Sequence, residues 1–331
     1  MKILKHISII LVLCLHFTLS KAQDPQFSQF YAAPLYLGPS MAGAGQYPRL
    51  ILNFRDQWPN IKGKFVTYSV SYDQFIDKYR SGVGFIFLRD NAGSGKLLTT
   101  MAGLNYSYRI SITRDFHIQP GIQFQYFQRK VNFGELTFAD QYYGDMLLPT
   151  SVETAPDKQG GHMDFSSSVL GFGKNFWIGF TFDHLMKLNQ SLKDDDRYIP
   201  IKFTSFGGVN IYLKESLLQR DQKIISLAYQ YRNQWAIQQL DMGIYYHQSP
   251  FVIGLWYRGL PVIKTIKTRD ALTIAGGLEL KQFMFTYSYD MTISNLITST
   301  GGAHEIAMIY YFDTNVKGRK RKLAPVPCPS F

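Results

Sequence analysis

Apolar and polar side chains alternate along most of the chain between residues 50 and 312, and this period of two constrains the fold more than any other feature. In KFVTYSVSYD, Val66, Tyr68, Val70 and Tyr72 face one way while Thr67, Ser69, Ser71 and Asp73 face the other. HIQPGIQFQY sets Ile118, Ile122, Phe124 and Tyr126 against Gln119, Gln123 and Gln125. IISLAYQYR and QFMFTYSYD repeat the pattern, the second with Phe283, Phe285, Tyr287 and Tyr289 opposite Thr286, Ser288 and Asp290. Successive side chains of a strand point to opposite faces, so each segment is a strand with one apolar and one polar side.

A soluble β-sandwich also alternates, but two features weigh against one. The polar faces are rich in Gln, Asn, Ser, Thr and Gly and hold few Lys or Glu, and the apolar faces are unusually aromatic. Aromatics make up 15% of the chain, with 22 Tyr and 25 Phe, an excess that suits the interfacial girdles of an outer-membrane barrel. The reading is therefore an all-β, transmembrane antiparallel β-barrel. Its strands are expected at about 49–56, 64–73, 81–90, 97–110, 115–130, 163–173, 175–186, 202–213, 222–232, 235–246, 250–258, 270–280, 282–291 and 303–312. These are fourteen, and an even number returns both ends to one side. Connections after even strands are mostly short, whereas 131–162, 187–201 and 259–269 all follow odd strands. Short periplasmic turns and long extracellular loops are the usual asymmetry, so both termini are expected to be periplasmic.

Residues 1–22 read as a secretory signal peptide: Lys2 and Lys5, an apolar run from Ile7 to Leu19, then Ser20 and Ala22 before a cut ahead of Gln23. Leu13 before Cys14 does not suit a lipoprotein cleavage site. Cleavage leaves Cys328 as the single cysteine, so no internal disulfide is available. The formal charge of +11 falls to +8 without Lys2, Lys5 and Lys21, and export makes a nucleic-acid partner a poor explanation for it.

No catalytic constellation is present: there is no GxSxG, HExxH, Walker loop or CxxC. His117, His162, His184, His247 and His304 are scattered singly, without zinc-ligand spacing. Asp194, Asp195 and Asp196 form a solvated loop tip or, less simply, a calcium ligand set. No enzyme activity and no cofactor are expected. In the first strand, Asn53, Arg55 and Gln57 share the lumen side if Leu52, Phe54 and Trp58 meet lipid; they form a supporting polar network or a ligand site. The 131–162 segment is long enough to fold over the mouth or to present a docking surface.

The chain divides into the leader, an irregular segment at 23–48, the barrel at 49–312 and a tail at 313–331. The irregular segment opens QDPQFSQFYAAPLYLGPSMAGAG, too broken by Pro and Gly for one strand or helix. It is expected to fold into or beneath the lumen, with Phe27, Phe30, Tyr31 and Tyr36 packed on the barrel. The tail combines Lys317, Arg319, Lys320, Arg321 and Lys322 with the proline-rich LAPVPCPSF. It suits an acidic periplasmic partner or serves as a solvated extension.

The run Gln23, Asp24, Pro25, Gln26, Phe27, Ser28, Gln29, Phe30, Tyr31, continuing AAPLYLGPSMAG, resembles the start of mature PorP/SprF-type proteins of the type IX secretion system of Bacteroidetes, where the pattern reads QDPxFSQYxxxPLYxNPAxxG. LNFRDQWP is similar to that family's LNYRxQWP, and the basic tail with Cys328 and Phe331 resembles its C-terminus. Gly38 stands where the family usually has Asn, and Ser40 where it has Ala. The resemblance implies a non-enzymatic outer-membrane barrel, in contact with outer-membrane lipid, that works in protein secretion and, in gliding bacteria, in export and anchoring of adhesins. Implied partners are a secreted substrate with a C-terminal sorting domain and periplasmic secretion or gliding lipoproteins. Two alternatives rest on the alternation alone: a passive porin or hydrophobic-solute transporter, and a secreted soluble β-protein.

Overall fold

The computed structural model describes residues 24–45, 47–93, 97–144, 146–154, 161–186, 198–214, 223–235, 237–260, 271–293, 300–312 and 326–327. The leader, Gln23, Asp194, Asp195 and Asp196, the basic cluster 317–322, Cys328 and Phe331 lie outside them.

Fourteen antiparallel strands close on themselves. They are β1 (Arg49–Gln57), β2 (Phe65–Ile76), β3 (Ser81–Ala92), β4 (Leu97–Tyr108), β5 (His117–Val131), β6 (Gly161–Phe172) and β7 (Phe176–Asp183). The second half holds β8 (Lys202–Lys214), β9 (Lys223–Gln234), β10 (Ile237–Gln248), β11 (Phe251–Leu260), β12 (Ala271–Leu280), β13 (Phe283–Thr292) and β14 (Ala303–Tyr311). Each strand pairs with its chain neighbours, and β14 returns to β1 with Arg55 directly opposite Glu305. Closure matters physically because a strand edge facing hydrocarbon leaves its N–H and C=O groups without partners. No helix among the described residues is long and apolar enough to cross a membrane.

The alternation sorts the faces. On β2, Tyr68 is 53% exposed while its neighbour Ser69 is 3% exposed. On β5, Ile122, Phe124 and Tyr126 point outward while Gln119, Gln123 and Gln125 are buried. The connections keep the asymmetry read from the sequence: β2–β3, β6–β7, β10–β11 and β12–β13 turn tightly on one rim, and the strand ends joined by the longer β5–β6 and β7–β8 connections lie on the other. In barrels of this kind the long loops usually stand on the extracellular rim.

One feature of the inner wall was not expected. Trp177, Phe206, Tyr245 and Trp256 are large, buried and inward, each laid over a glycine: Gly208, Gly179, Gly254 and Gly243 respectively. A side chain at those glycines would occupy the space of the ring, so the small residues make room for rings lying flat along the wall. The outward face supplies a direct test. Leu104→Arg on β4 puts a charge on the lipid side and is expected to destabilise the folded barrel by about 2–4 kcal/mol near mid-membrane. Urea unfolding in lipid vesicles, followed by tryptophan fluorescence, measures the shift.

Candidate functional site

Residues 24–45 lie inside the lumen. Pro25, Pro34 and Pro39 and the surrounding glycines deny the segment a regular element, so it descends in short turns: Phe30–Ala32, Pro34–Leu37 and Pro39–Met41. Proline at the first position of the last two turns suits a helix start, where no backbone donor is needed. Near its lower end Gly43 takes a φ of +65°, and a Cβ there would meet the β2 and β3 backbone.

The upper anchor is a buried charge cluster. The Ser28 and Gln29 backbone N–H groups donate to the two Glu305 carboxylate oxygens at 2.7 and 3.0 Å. Arg55 reaches Glu305 at 3.1 Å and Asp290 at 2.8 Å, and also donates to the Ser28 hydroxyl. That hydroxyl donates in turn to Asp290 at 2.5 Å. Arg258 pairs with Asp290 at 3.1 Å, and Thr273 donates to it at 2.7 Å. Buried ions are tolerated only when paired and hydrogen-bonded, and each carboxylate here has several partners. Just below, Gln29 bonds Ser288 and Thr286, while Asn53 donates to the Ala32 carbonyl at 2.9 Å. Gln57 sits at the margin of the cluster, accepting from Arg55 at 3.5 Å.

Aromatic packing fills the middle. Phe30 meets Trp256 edge-on at 5.0 Å between centroids, and Tyr31 meets Tyr245 at 4.8 Å. Phe27 and Tyr36 pack against each other at 5.3 Å. Such edge-to-face pairs add roughly 0.5–1.5 kcal/mol each beyond their buried area. The lower anchor is polar again. Gln119 donates to the Ser40 and Ala42 carbonyls, Asp73 accepts from the Gly43 N–H at 2.8 Å, and Arg49 pairs with Asp73 at 2.7 Å. A short piece of the tail closes this end: the Val326 N–H donates to the Ala44 carbonyl, and Asn210 donates to the Pro327 carbonyl.

The direction of the segment differs from the sequence reading, which starts it on the periplasmic side. Asp24 instead sits at the long-loop rim, 2.8 Å from His184 and 3.2 Å from Lys202. Burial alone would raise the Asp24 carboxyl, but His184 and Lys202 outweigh it and hold the group below the usual carboxylate range. His184 also reaches Asp164 at 2.7 Å. Burial alone would depress the imidazole; its carboxylate neighbours instead lift it to about 10, so it is a cation at neutral pH. From this charged rim the chain runs down to Gly43 and then turns up into β1.

Asn53 and Arg55 thus bond the descending segment at Ala32 and Ser28, with Gln57 beside Arg55, while Phe30 and Tyr31 meet Trp256 and Tyr245 and Asp24 meets His184 and Lys202 on another part of the wall. The sequence reading missed Glu305, Arg258, His184 and Lys202. For Arg258 and Glu305 the signal was a charge on the lumen face of a strand with no other Lys, Arg, Asp or Glu. Two clefts of about 640 and 420 Å³ flank Asp24, Pro25 and Tyr36 at the long-loop rim, both including open solvent. Among the described residues no cluster of His, Cys, Asp and Glu is arranged to hold a metal ion.

With this geometry in place, the family model "Type IX secretion system membrane protein PorP/SprF" matches residues 19–310. The chain belongs to the PorP/SprF family. It is accordingly an outer-membrane β-barrel of type IX secretion. No curated protein matches the chain. Its structure is similar to the P. putida toluene transporter TodX, with a TM-score of 0.46 and 10% identity over 83% of this chain and 92% of that one. It is also similar to the Acinetobacter baumannii outer membrane protein Omp33, with a TM-score of 0.43 and 5% identity over 81% of this chain and 100% of that one. The KdgM porin gives 0.39 and 8% identity over 80% and 99%.

The upper anchor makes a quantitative prediction. Arg55→Met strands Glu305 without its cation and is expected to destabilise the protein by about 3–5 kcal/mol. Asn53→Ala removes one neutral bond and is expected to cost about 1 kcal/mol. Denaturant titration of both variants in vesicles gives the ratio.

Proposed function

We propose that this PorP/SprF barrel acts in type IX secretion as a docking platform for exported proteins, working through its two rims rather than through its lumen. The observation that carries this reading is the occupied lumen. Residues 24–45 run from the long-loop rim to the opposite rim and are bonded to the wall at both ends. Opening a path would expose the Arg55, Asp290 and Glu305 charges that the segment helps to satisfy. This weighs against the passive porin or solute transporter.

The outer rim is the place to receive or retain an exported substrate. The inner rim, where the strands begin and end, is the place for periplasmic secretion or gliding lipoproteins, with the basic run Lys317, Arg319, Lys320, Arg321 and Lys322 as their contact. Anchoring of surface adhesins, and a link to gliding, follow from this arrangement in an organism that glides. No step of the role requires catalysis or a cofactor. Deleting the gene and comparing the surface and secreted proteomes tests the reading. Loss or mislocalisation of a defined set of exported proteins is expected, and an unchanged set contradicts it.

A further inference from the structure

Residues 132–144 and 146–154, in the longest connection of the long-loop rim, form a folded arm. Phe133 packs on Phe138 at 4.8 Å, and the Phe138 N–H donates to the Gln141 side chain at 2.8 Å. Gln141, buried, donates to the Leu148 carbonyl, and the Leu148 N–H returns a bond to the Gln141 carbonyl. Asp140 accepts from the Ser151 hydroxyl and the Val152 N–H. A small hairpin pairs Tyr142 with Leu147 and Tyr143 with Met146.

The arm bonds several of its own polar groups internally yet leaves its apolar ones outside. Tyr143 is 76% exposed and Val152 86%, and Tyr142, Met146, Leu147 and Leu148 are exposed beside them. Apolar side chains gathered on an ordered, water-facing loop mark an interaction surface. Order before binding also lowers the entropic cost of docking.

Charge selects the occupant. Between Asn132 and Thr154 the sequence carries four carboxylates and no Lys, Arg or His, in a chain whose formal charge is +11. An acidic arm is repelled by an anionic lipid surface, so the apolar side chains are not suited to lipid. It is equally repelled by the same arm of a second copy; this chain's own basic run, 317–322, comes after β14 in sequence, and β14 ends on the opposite rim.

We propose that residues 132–154 form the docking surface for an exported protein at the cell surface, and that this partner presents an apolar patch ringed by Lys and Arg. The assignment rests on the secretion reading above and names the site of contact and the chemistry of the partner. Apolar contact supplies the affinity, while the carboxylates set orientation and encounter rate.

The test places a photo-crosslinking amino acid at Tyr143 of the full-length barrel in intact cells. The expected result is an adduct with an exported protein bearing a basic surface. An adduct with lipopolysaccharide or a second copy only, or no adduct, overturns the proposal. A parallel variant, Tyr142→Ser with Tyr143→Ser, Met146→Ser and Leu147→Ser, keeps the arm's internal bonds and the heat-modifiable barrel. It is expected to reduce surface retention of the crosslinked protein by at least about tenfold. If gene deletion alters the exported set while this variant does not, the arm is overturned and the secretion reading stands. If gene deletion alters nothing, the secretion reading itself falls.

Discussion

Glu305 is a carboxylate sealed inside a barrel, and the occupied lumen is organised around keeping it paired. Two backbone N–H groups of the descending segment and the Arg55 guanidinium share the task. Removing any one of them leaves a buried charge short of partners, which costs more than the pair itself contributes. The arrangement therefore couples three things that are distant in sequence: the first strand, the last strand and the segment before both. Barrel closure brings the first two together, because the β1–β14 register sets Arg55 opposite Glu305. The irregular segment can then dock only where its Ser28 and Gln29 meet that pair.

Closure and filling answer the same physical demand from two sides. Toward lipid, every backbone group must be bonded within the sheet, so the strands must form a closed ring. Toward the lumen, the polar faces would ordinarily be hydrated. Here much of that hydration is replaced by the segment's carbonyls, hydroxyls and amides, with aromatic rings in the middle layer. On the platform reading proposed above, such a barrel acts through its rims. The rims differ: the long-loop one carries the acidic, apolar arm and the Asp24–His184–Lys202 cluster, and the opposite one holds Val326 against Ala44.

Much of this was legible in the sequence, and the missing parts have identifiable causes. Period two fixed the strands closely; the segment read at 282–291, for example, is Phe283–Thr292. The same alternation was the ground for putting Asn53 and Arg55 on the lumen side. The inward rings were not, because Tyr245 and Tyr246 are adjacent and alternation alone does not say which faces in. Gly254, lying opposite, was the available hint. The Arg55–Glu305 pair needs a cross-strand register that no local pattern supplies. The direction of the 24–45 segment was read backwards because strand parity speaks only for the barrel. The ion pairs of Asp24 with His184 and Lys202 decide it, and those partners lie far away in sequence.

The central claim is that the lumen is occupied, so the barrel works as a platform. Planar-bilayer conductance of the purified full-length protein tests it most directly. The account predicts no large, stable channels from the intact chain. Steady, reproducible channels of porin size would contradict it.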